Sequence, residues 1–239
     1  PLAAAAKMPI IGPLTGSAVF RKTFNPWTIN VRAGYDDEAM AMLRLFITEK
    51  QYRRVSIIYQ DDAFGSPAKD AILIAMENMK LEMTSIHPYD KPKIPTYDFA
   101  AYAQDVWKHR PQGIILFCVE GFSNAFMTEF FKIQTYKVSM VTGSWIGDGN
   151  RNYLMANGMD PTEFYQTQVV PHPMSDLNIT KKYRAAILAR NGTAQQFDYL
   201  SLEGYIVGLL VTEALRRTPD VNGTLDRAEF LRTIYNTKL

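Results

Sequence analysis

Four short apolar runs, beginning near residues 55, 83, 114 and 138, recur at intervals of 24–31 residues, and a helical pattern fills each gap. No other feature of the sequence constrains the fold as much. Parallel strands need a crossover of a dozen or more residues, usually a helix, so this spacing predicts a mostly parallel sheet with helices on both faces. The runs are continuous rather than alternating: Val55-Ser56-Ile57-Ile58-Tyr59 and Ile114-Ile115-Leu116-Phe117-Cys118-Val119. That pattern suits strands buried on both sides.

The intervening segments carry helical stripes. Ala39, Met42, Leu43, Phe46 and Ile47 fall at i, i+3, i+4, i+7 and i+8, which predicts a helix over 36–50. Asp36, Asp37 and Glu38 occupy its first turn, where negative charge suits the helix dipole. Pro67 opens a second helix that runs to about 80, since proline at the first turn forfeits no hydrogen bond. Further helices are predicted at 99–107, from Phe99, Tyr102, Ala103, Val106 and Trp107, and at 123–134, from Phe126, Met127, Phe130 and Phe131. Strands are predicted at 8–11, 27–31, 55–59, 83–86, 114–119, 138–141 and 164–170, with a Pro-rich loop (Pro88, Pro92, Pro95) after the fourth. Beyond Pro171 and Pro173 the pattern turns mostly helical and includes Leu202, Tyr205, Ile206, Leu209 and Leu210. That change predicts a crossing between domains near 171–177, with another near 32–36.

Composition narrows the function classes. Apolar residues make up 47% and charged residues 21%, ordinary for a globular chain. Lys and Arg number 26 against 24 Asp and Glu, and a net charge of +2 gives no reason to expect nucleic acid or an acidic membrane as partner. The lone Cys118 can form neither an intrachain disulfide nor a cysteine zinc site, and its place inside an apolar run marks it as core. No apolar run approaches the ~20 residues that cross a bilayer. The opening Pro1-Leu2-Ala3-Ala4-Ala5-Ala6-Lys7 lacks the charged start of a signal peptide and reads as the interior of a longer chain.

In open α/β sheets, ligands gather beyond the carboxyl ends of the strands. After 8–11 come Gly12-Pro13-Leu14-Thr15-Gly16-Ser17; after 55–59, Asp61, Asp62 and Phe64; after 114–119, Glu120, Gly121 and Phe122; after 138–141, Thr142, Gly143, Ser144 and Trp145. Backbone N–H groups and hydroxyls of the first loop suit an anion such as a carboxylate, although a plain capped turn has the same composition. Asp62 or Glu120 can accept from a ligand ammonium. A loop carboxylate or N-cap is the plainer reading, above all for Asp61 and Asp62. Phe64, Phe122 and Trp145 can wall an apolar pocket or pack on the sheet edge.

Other chemistries lack their residues. His87, His109 and His172 are far apart in sequence, with no second ligand at i, i+4, so no metal site is expected. Neither G-x-S-x-G nor a P-loop occurs, and the first loop has no dinucleotide fingerprint, so no cofactor is expected. Three glycosylation sequons, Asn178-Ile179-Thr180, Asn191-Gly192-Thr193 and Asn222-Gly223-Thr224, suggest a secreted or luminal glycoprotein.

Four separated strings, in order, resemble the type I periplasmic binding proteins, in particular the leucine/isoleucine/valine-binding family with its receptor ligand-binding ectodomains. They are Ile10-Ile11-Gly12-Pro13-Leu14-Thr15-Gly16-Ser17; Asn30-Val31-Arg32-Ala33-Gly34-Tyr35-Asp36-Asp37-Glu38; Val55-Ser56-Ile57-Ile58-Tyr59-Gln60-Asp61-Asp62-Ala63-Phe64-Gly65; and Tyr199-Leu200-Ser201-Leu202-Glu203-Gly204-Tyr205. The resemblance implies an α/β fold of two Rossmann-like lobes that close on a ligand by hinge motion. On that scheme 34–173 is a complete lobe 2, and 1–33 with 174–239 a lobe 1 that lacks the family's opening strands and helices. The ligand carboxylate would meet Leu14, Thr15, Gly16 and Ser17. The aromatic of the second loop, commonly Tyr in the family, is Phe64 here. The Glu120-Gly121-Phe122-Ser123 stretch matches another ligand loop. Ser144-Trp145 stands where the family often has a carboxylate for the ammonium, which leaves that task to Glu120 or Asp62.

The resemblance thus implies a non-enzymatic, extracellular or periplasmic domain that binds a small polar ligand such as an amino acid. Its partners would be that ligand, a membrane transporter or receptor segment, and a second copy of the chain. Three alternatives stand beside it: a receptor-cyclase ectodomain from a eukaryotic microbe, a ligand-free interaction module, and an α/β enzyme using Asp62 and Glu120 as acid and base.

Overall fold

The computed structural model describes residues 2–190, 192–219 and 224–237. The chain divides into two compact units, one made of Pro1–Ala33 and Val169–Leu239, the other of Gly34–Gln168. The first unit opens with a short helix α1 (Leu2–Ala5), followed by strands β1 (Ile10–Ile11) and β2 (Thr28–Ile29). The second unit holds α2 (Tyr35–Arg44), β3 (Val55–Gln60), α3 (Ser66–Asn78), β4 (Ser85–Tyr89), α4 (Phe99–Trp107), β5 (Gly113–Phe117), α5 (Glu120–Ile133), β6 (Ser139–Thr142), α6 (Gly149–Ala156) and β7 (Phe164–Gln166). Helices α7 (Asn178–Ala189), α8 (Tyr199–Arg217) and α9 (Arg227–Asn236) return to the first unit.

In Gly34–Gln168 the five strands form one sheet in the order β4-β3-β5-β6-β7, and every pair is parallel. Val55 lies opposite Gly113, Gly113 opposite Ser139, and Met140 opposite Phe164. Successive side chains of a strand point to opposite faces, and the sheet sorts them accordingly. Ile57, Tyr59, Ile115 and Phe117 pack with Ala39, Met42, Leu43 and Phe46 of the α2 region and Ile72 and Met76 of α3. Ile58, Ile114, Leu116 and Met140 pack with Val106 of α4 and Phe122, Phe126 and Phe130 of α5. The predicted helix 36–50 exists as α2 plus a π-helical turn over Leu45–Glu49.

Several predicted boundaries move, and the first two strands, expected at 8–11 and 27–31, shorten to two residues each. The strand expected at 83–86 is β4, Ser85–Tyr89, and contains Pro88. It lies at the sheet edge, where a residue without an N–H breaks no ladder. Its burial alternates, so the apolar pattern that betrays a central strand is absent. The run 114–119 ends as a strand at Phe117; Val119 is the extended residue ahead of α5, and Glu120 begins that helix rather than a loop. The strand expected to reach 170 stops at Gln166.

In the first unit β1 and β2 pair in parallel, Ile10 opposite Thr28 and Ile11 opposite Ile29. Ile29 packs with Ala214 of α8 and Phe230, Leu231 and Ile234 of α9. Asp198 caps α8 by accepting the Ser201 N–H at 2.8 Å. Gly12 adopts φ +58°, and a side chain there would collide with Val207 of α8, so only glycine serves at this approach. Arg32 and Glu203 form a buried ion pair at 3.5 Å.

Candidate functional site

The loop after β1 is fixed from within and from behind. Thr15 N–H donates to the Pro13 carbonyl at 2.7 Å and Ser17 N–H to Thr15 Oγ1 at 3.1 Å. Ser17 Oγ accepts the Val19 N–H at 3.4 Å, capping a short 3-10 turn, Ala18–Phe20. Two of the backbone donors expected to face an anion are therefore used inside the loop. The Thr15 and Ser17 hydroxyls act as acceptors in these bonds, which leaves each its proton to donate outward. Arg21 closes the back of the loop, donating from Nη2 to the Thr15 carbonyl and from Nε to the Gly16 carbonyl, both at 3.3 Å. Leu14 is exposed and Gly16 buried.

In the second unit the carboxyl ends of β3, β5 and β6 carry a four-ring cluster. Tyr35, Phe64, Phe117 and Trp145 meet one another at centroid distances between 4.4 and 5.6 Å, several edge to face. Tyr35 and Phe117 are buried, whereas Phe64 and Trp145 keep part of their surface open. The Trp145 indole N–H donates to the Cys118 carbonyl at 2.9 Å. Gly143 lets that indole fold back over the backbone, where a β-carbon would overlap the ring.

Asp62 is exposed but employed: Oδ1 accepts the Phe64 N–H at 2.8 Å and Oδ2 the Gln60 amide at 2.5 Å. It builds the turn that presents Phe64. Gln60 also accepts the Tyr89 hydroxyl at 3.0 Å, and that oxygen accepts the Val119 N–H at 2.9 Å ahead of Glu120. Burial raises the Tyr89 phenol far above its ordinary value, so it stays a donor. Glu120, exposed in the first turn of α5, lays its carboxylate over Gly149 at the start of α6.

Two residues expected at the ligand site, Phe122 of the apolar wall and Ser144 of the loop after β6, are buried instead. Phe122 is fully buried and stacks on Tyr89 at 3.7 Å, in the core beneath α5. Its helix begins three residues earlier than the sequence pattern indicates, which turns Phe122 inward with Phe126 and Phe130. Ser144 is buried with its N–H and hydroxyl both donating to Glu38, at 2.8 and 2.9 Å. Among the sequons, Asn178 is exposed at the start of α7 and lines a surface groove of about 610 Å³ with Lys182, Leu209 and Arg216. Asn191 and Asn222 lie outside the described residues.

Sequence reasoning passed over Tyr35, Glu38 and Arg21. The apolar stripe of α2 extends back to Tyr35, four residues before Ala39, and Glu38 precedes Met42 by four, so both face inward. An acidic residue on a buried stripe was the available signal. Nothing local marks Arg21, whose partners lie up to 12 residues away. No group of three or more His, Cys, Asp or Glu side chains suited to a metal occurs among the described residues, and no described helix is long and apolar enough to cross a membrane.

This chain belongs to the periplasmic binding protein family, whose sequence profile matches residues 1–239. Among curated proteins none was found to match it. A possible leucine/isoleucine/valine-binding protein from Rhodopirellula baltica is similar in structure, with TM-score 0.80 and 24% identity over 99% of this chain and 62% of its own. A branched-chain amino acid ABC transporter structure from Thermus thermophilus with bound valine gives TM-score 0.80 at 13% identity, covering 100% of this chain and 61% of its own. A fatty acid ABC transporter substrate-binding protein from Thermomonospora curvata gives 0.72 at 15% identity, covering 89% and 54%. The chain therefore spans less than two thirds of these proteins, and the likeness to them is one of fold.

Proposed function

We propose that this chain is a non-enzymatic solute-binding module for a small carboxylate with an apolar body, such as a branched-chain amino acid. The observation that carries this reading is the Tyr35–Phe64–Phe117–Trp145 cluster at the carboxyl ends of the strands, half open at Phe64 and Trp145. A partly open aromatic surface at that edge suits an aliphatic side chain. The Thr15 and Ser17 hydroxyls, with protons left to donate, suit the carboxylate, and exposed Glu120 suits an ammonium. Relatives named for valine, leucine and a fatty acid bind molecules that share a carboxylate and an apolar body.

On this reading Gly34–Gln168 is the second lobe of the family fold, and Pro1–Ala33 with Val169–Leu239 belongs to the first. The protein works in the periplasm or outside the cell and hands its ligand to a membrane transporter or receptor. Calorimetry of the chain with valine, leucine and octanoate tests the proposal. Heat of binding is expected for at least one of them and none for leucinamide, which lacks the carboxylate. Equal binding of leucine and leucinamide, or no binding of any, overturns it.

A further inference from the structure

Glu38 is an acid in the core of the second unit, 3% exposed. Its carboxylate accepts three hydrogen bonds from two distant segments: Ser144 N–H at 2.8 Å, Ser144 Oγ–H at 2.9 Å and Thr167 Oγ–H at 2.6 Å. Ser144 opens the loop that carries Trp145. Thr167 is the penultimate residue of the unit, and Glu38 lies four residues after its first, Gly34. Gln166, beside Thr167, grips the same loop, its side-chain amide donating to the carbonyls of Gly143 at 3.1 Å and Gly147 at 2.5 Å. One buried carboxylate thus joins the segment entering the unit, the segment leaving it and the loop that sets the aromatic wall.

We propose that Glu38 is a positioning residue that couples the Trp145 loop to both ends of the second unit, so that a ligand against the wall is felt where the chain enters and leaves. The group suits the task. Its two oxygens accept from several donors at once, and buried donors deprived of them have no water to turn to. A shift of the Ser144 segment therefore alters the same oxygens that hold Thr167, and the coupling acts equally in both directions. This role rests on the solute-binding reading for its meaning, but the coupling itself is measurable without ligand.

The test is amide hydrogen exchange on the whole chain. Thr167→Val removes the hydroxyl but keeps the shape, and Ser144→Ala removes the hydroxyl at the other end. If Glu38 couples the segments, Thr167→Val speeds exchange at 143–147 and Ser144→Ala speeds it at 166–168, each by about 2- to 10-fold, the effect of one ordinary hydrogen bond. Glu38→Gln, which retains an acceptor oxygen, shows smaller changes than Glu38→Ala at both segments. A merely structural carboxylate gives the opposite pattern, each variant quickening exchange only beside its own substitution, and that result overturns the proposal. Valine provides the second arm. Protection of 143–147 and 166–168 together in the wild type, but of 143–147 alone in Thr167→Val, supports the coupling; joint protection in both proteins overturns it. Should valine protect neither segment while the cross-effects of the variants persist, the coupling stands and the ligand reading is what fails.

Discussion

Arg21 Nη2 donates to the carbonyl oxygen of Arg32 at 2.9 Å, and the same nitrogen reaches the carbonyls of Ala33 at 3.2 Å and Thr15 at 3.3 Å. With the Gly16 carbonyl on Nε, one guanidinium holds four backbone oxygens. Two belong to the loop after β1, proposed above to meet a carboxylate, and two to the last residues before the second unit. The planar fork satisfies several acceptors in fixed directions, which a lysine ammonium cannot reproduce.

Arg21→Ala is therefore expected to destabilise the chain by about 1.5–3 kcal/mol, the range for hydrogen bonds to a charged group. Arg21→Lys recovers only part of that loss. Denaturant melts measure both, and a lysine variant as stable as the wild type would show that charge alone suffices.

Phe64 and Phe122 looked alike in sequence, each following an apolar strand, yet their surroundings differ. Phe122 is fully buried and stacked on Tyr89, whereas Phe64 is partly open beside Trp145. Phe122→Ala is expected to cost about 3–5 kcal/mol of stability, as for large-to-small changes in a packed core. Phe64→Ala costs clearly less but removes part of the proposed apolar wall. Chemical denaturation of both variants with calorimetry on Phe64→Ala checks this pair; equal destabilisation would place the two rings in equivalent sites.

The contrast marks where sequence reading succeeds. The β3 and β5 strands and the inner face of α2 were legible because continuous apolar runs and a 3.6-residue stripe are imposed by burial itself. The edge strand β4 was not, since an edge tolerates Pro88 and alternates its burial. Phe122 was misplaced by the start of α5: once Glu120 belongs to the helix, the next residues rotate inward. Glu38 and Arg21 gained their roles from partners such as Ser144 and Ala33, which proximity in sequence does not reveal.

His87 on β4 gives the second unit a pH-dependent element. Its ring is buried on β4, with Nδ1 3.1 Å from Asp105 and Nε2 2.8 Å from Ser85 Oγ; His109 and Lys108 stand nearby. Burial lowers its pKa below the usual 6.5, outweighing the opposing pull of Asp105. The folded state thus holds a neutral ring while the unfolded chain takes up a proton near pH 6.5. The stabilisation is complete above that value and is lost as pH falls towards the lowered folded pKa. Melting temperature is expected to fall between about pH 7.5 and about pH 5, with a shallower slope in His87→Gln. Identical slopes would remove His87 from the account.

The last prediction separates binding from stability. Ser17 sits in the loop after β1 with its hydroxyl proton left to donate, and Glu120 is exposed at the first turn of α5. Neither is buried deeply enough for its loss to unsettle the fold, so Ser17→Ala and Glu120→Gln should shift the melting temperature little. Ser17 also accepts the Val19 N–H at 3.4 Å, a long bond on an exposed turn, which limits the structural cost of removing it. For an amino-acid ligand each variant removes one charge-assisted hydrogen bond, worth about 1.5–3 kcal/mol, so affinity should drop by roughly 10- to 100-fold. The ligand series then assigns the ends. Octanoate has a carboxylate and no ammonium, so Ser17→Ala should weaken it while Glu120→Gln leaves it unchanged or improves it by easing like-charge repulsion. Leucine should weaken in both. If Glu120→Gln weakens octanoate as much as leucine, Glu120 does not face the ammonium. If neither variant changes either affinity, Ser17 and Glu120 lie outside the binding surface.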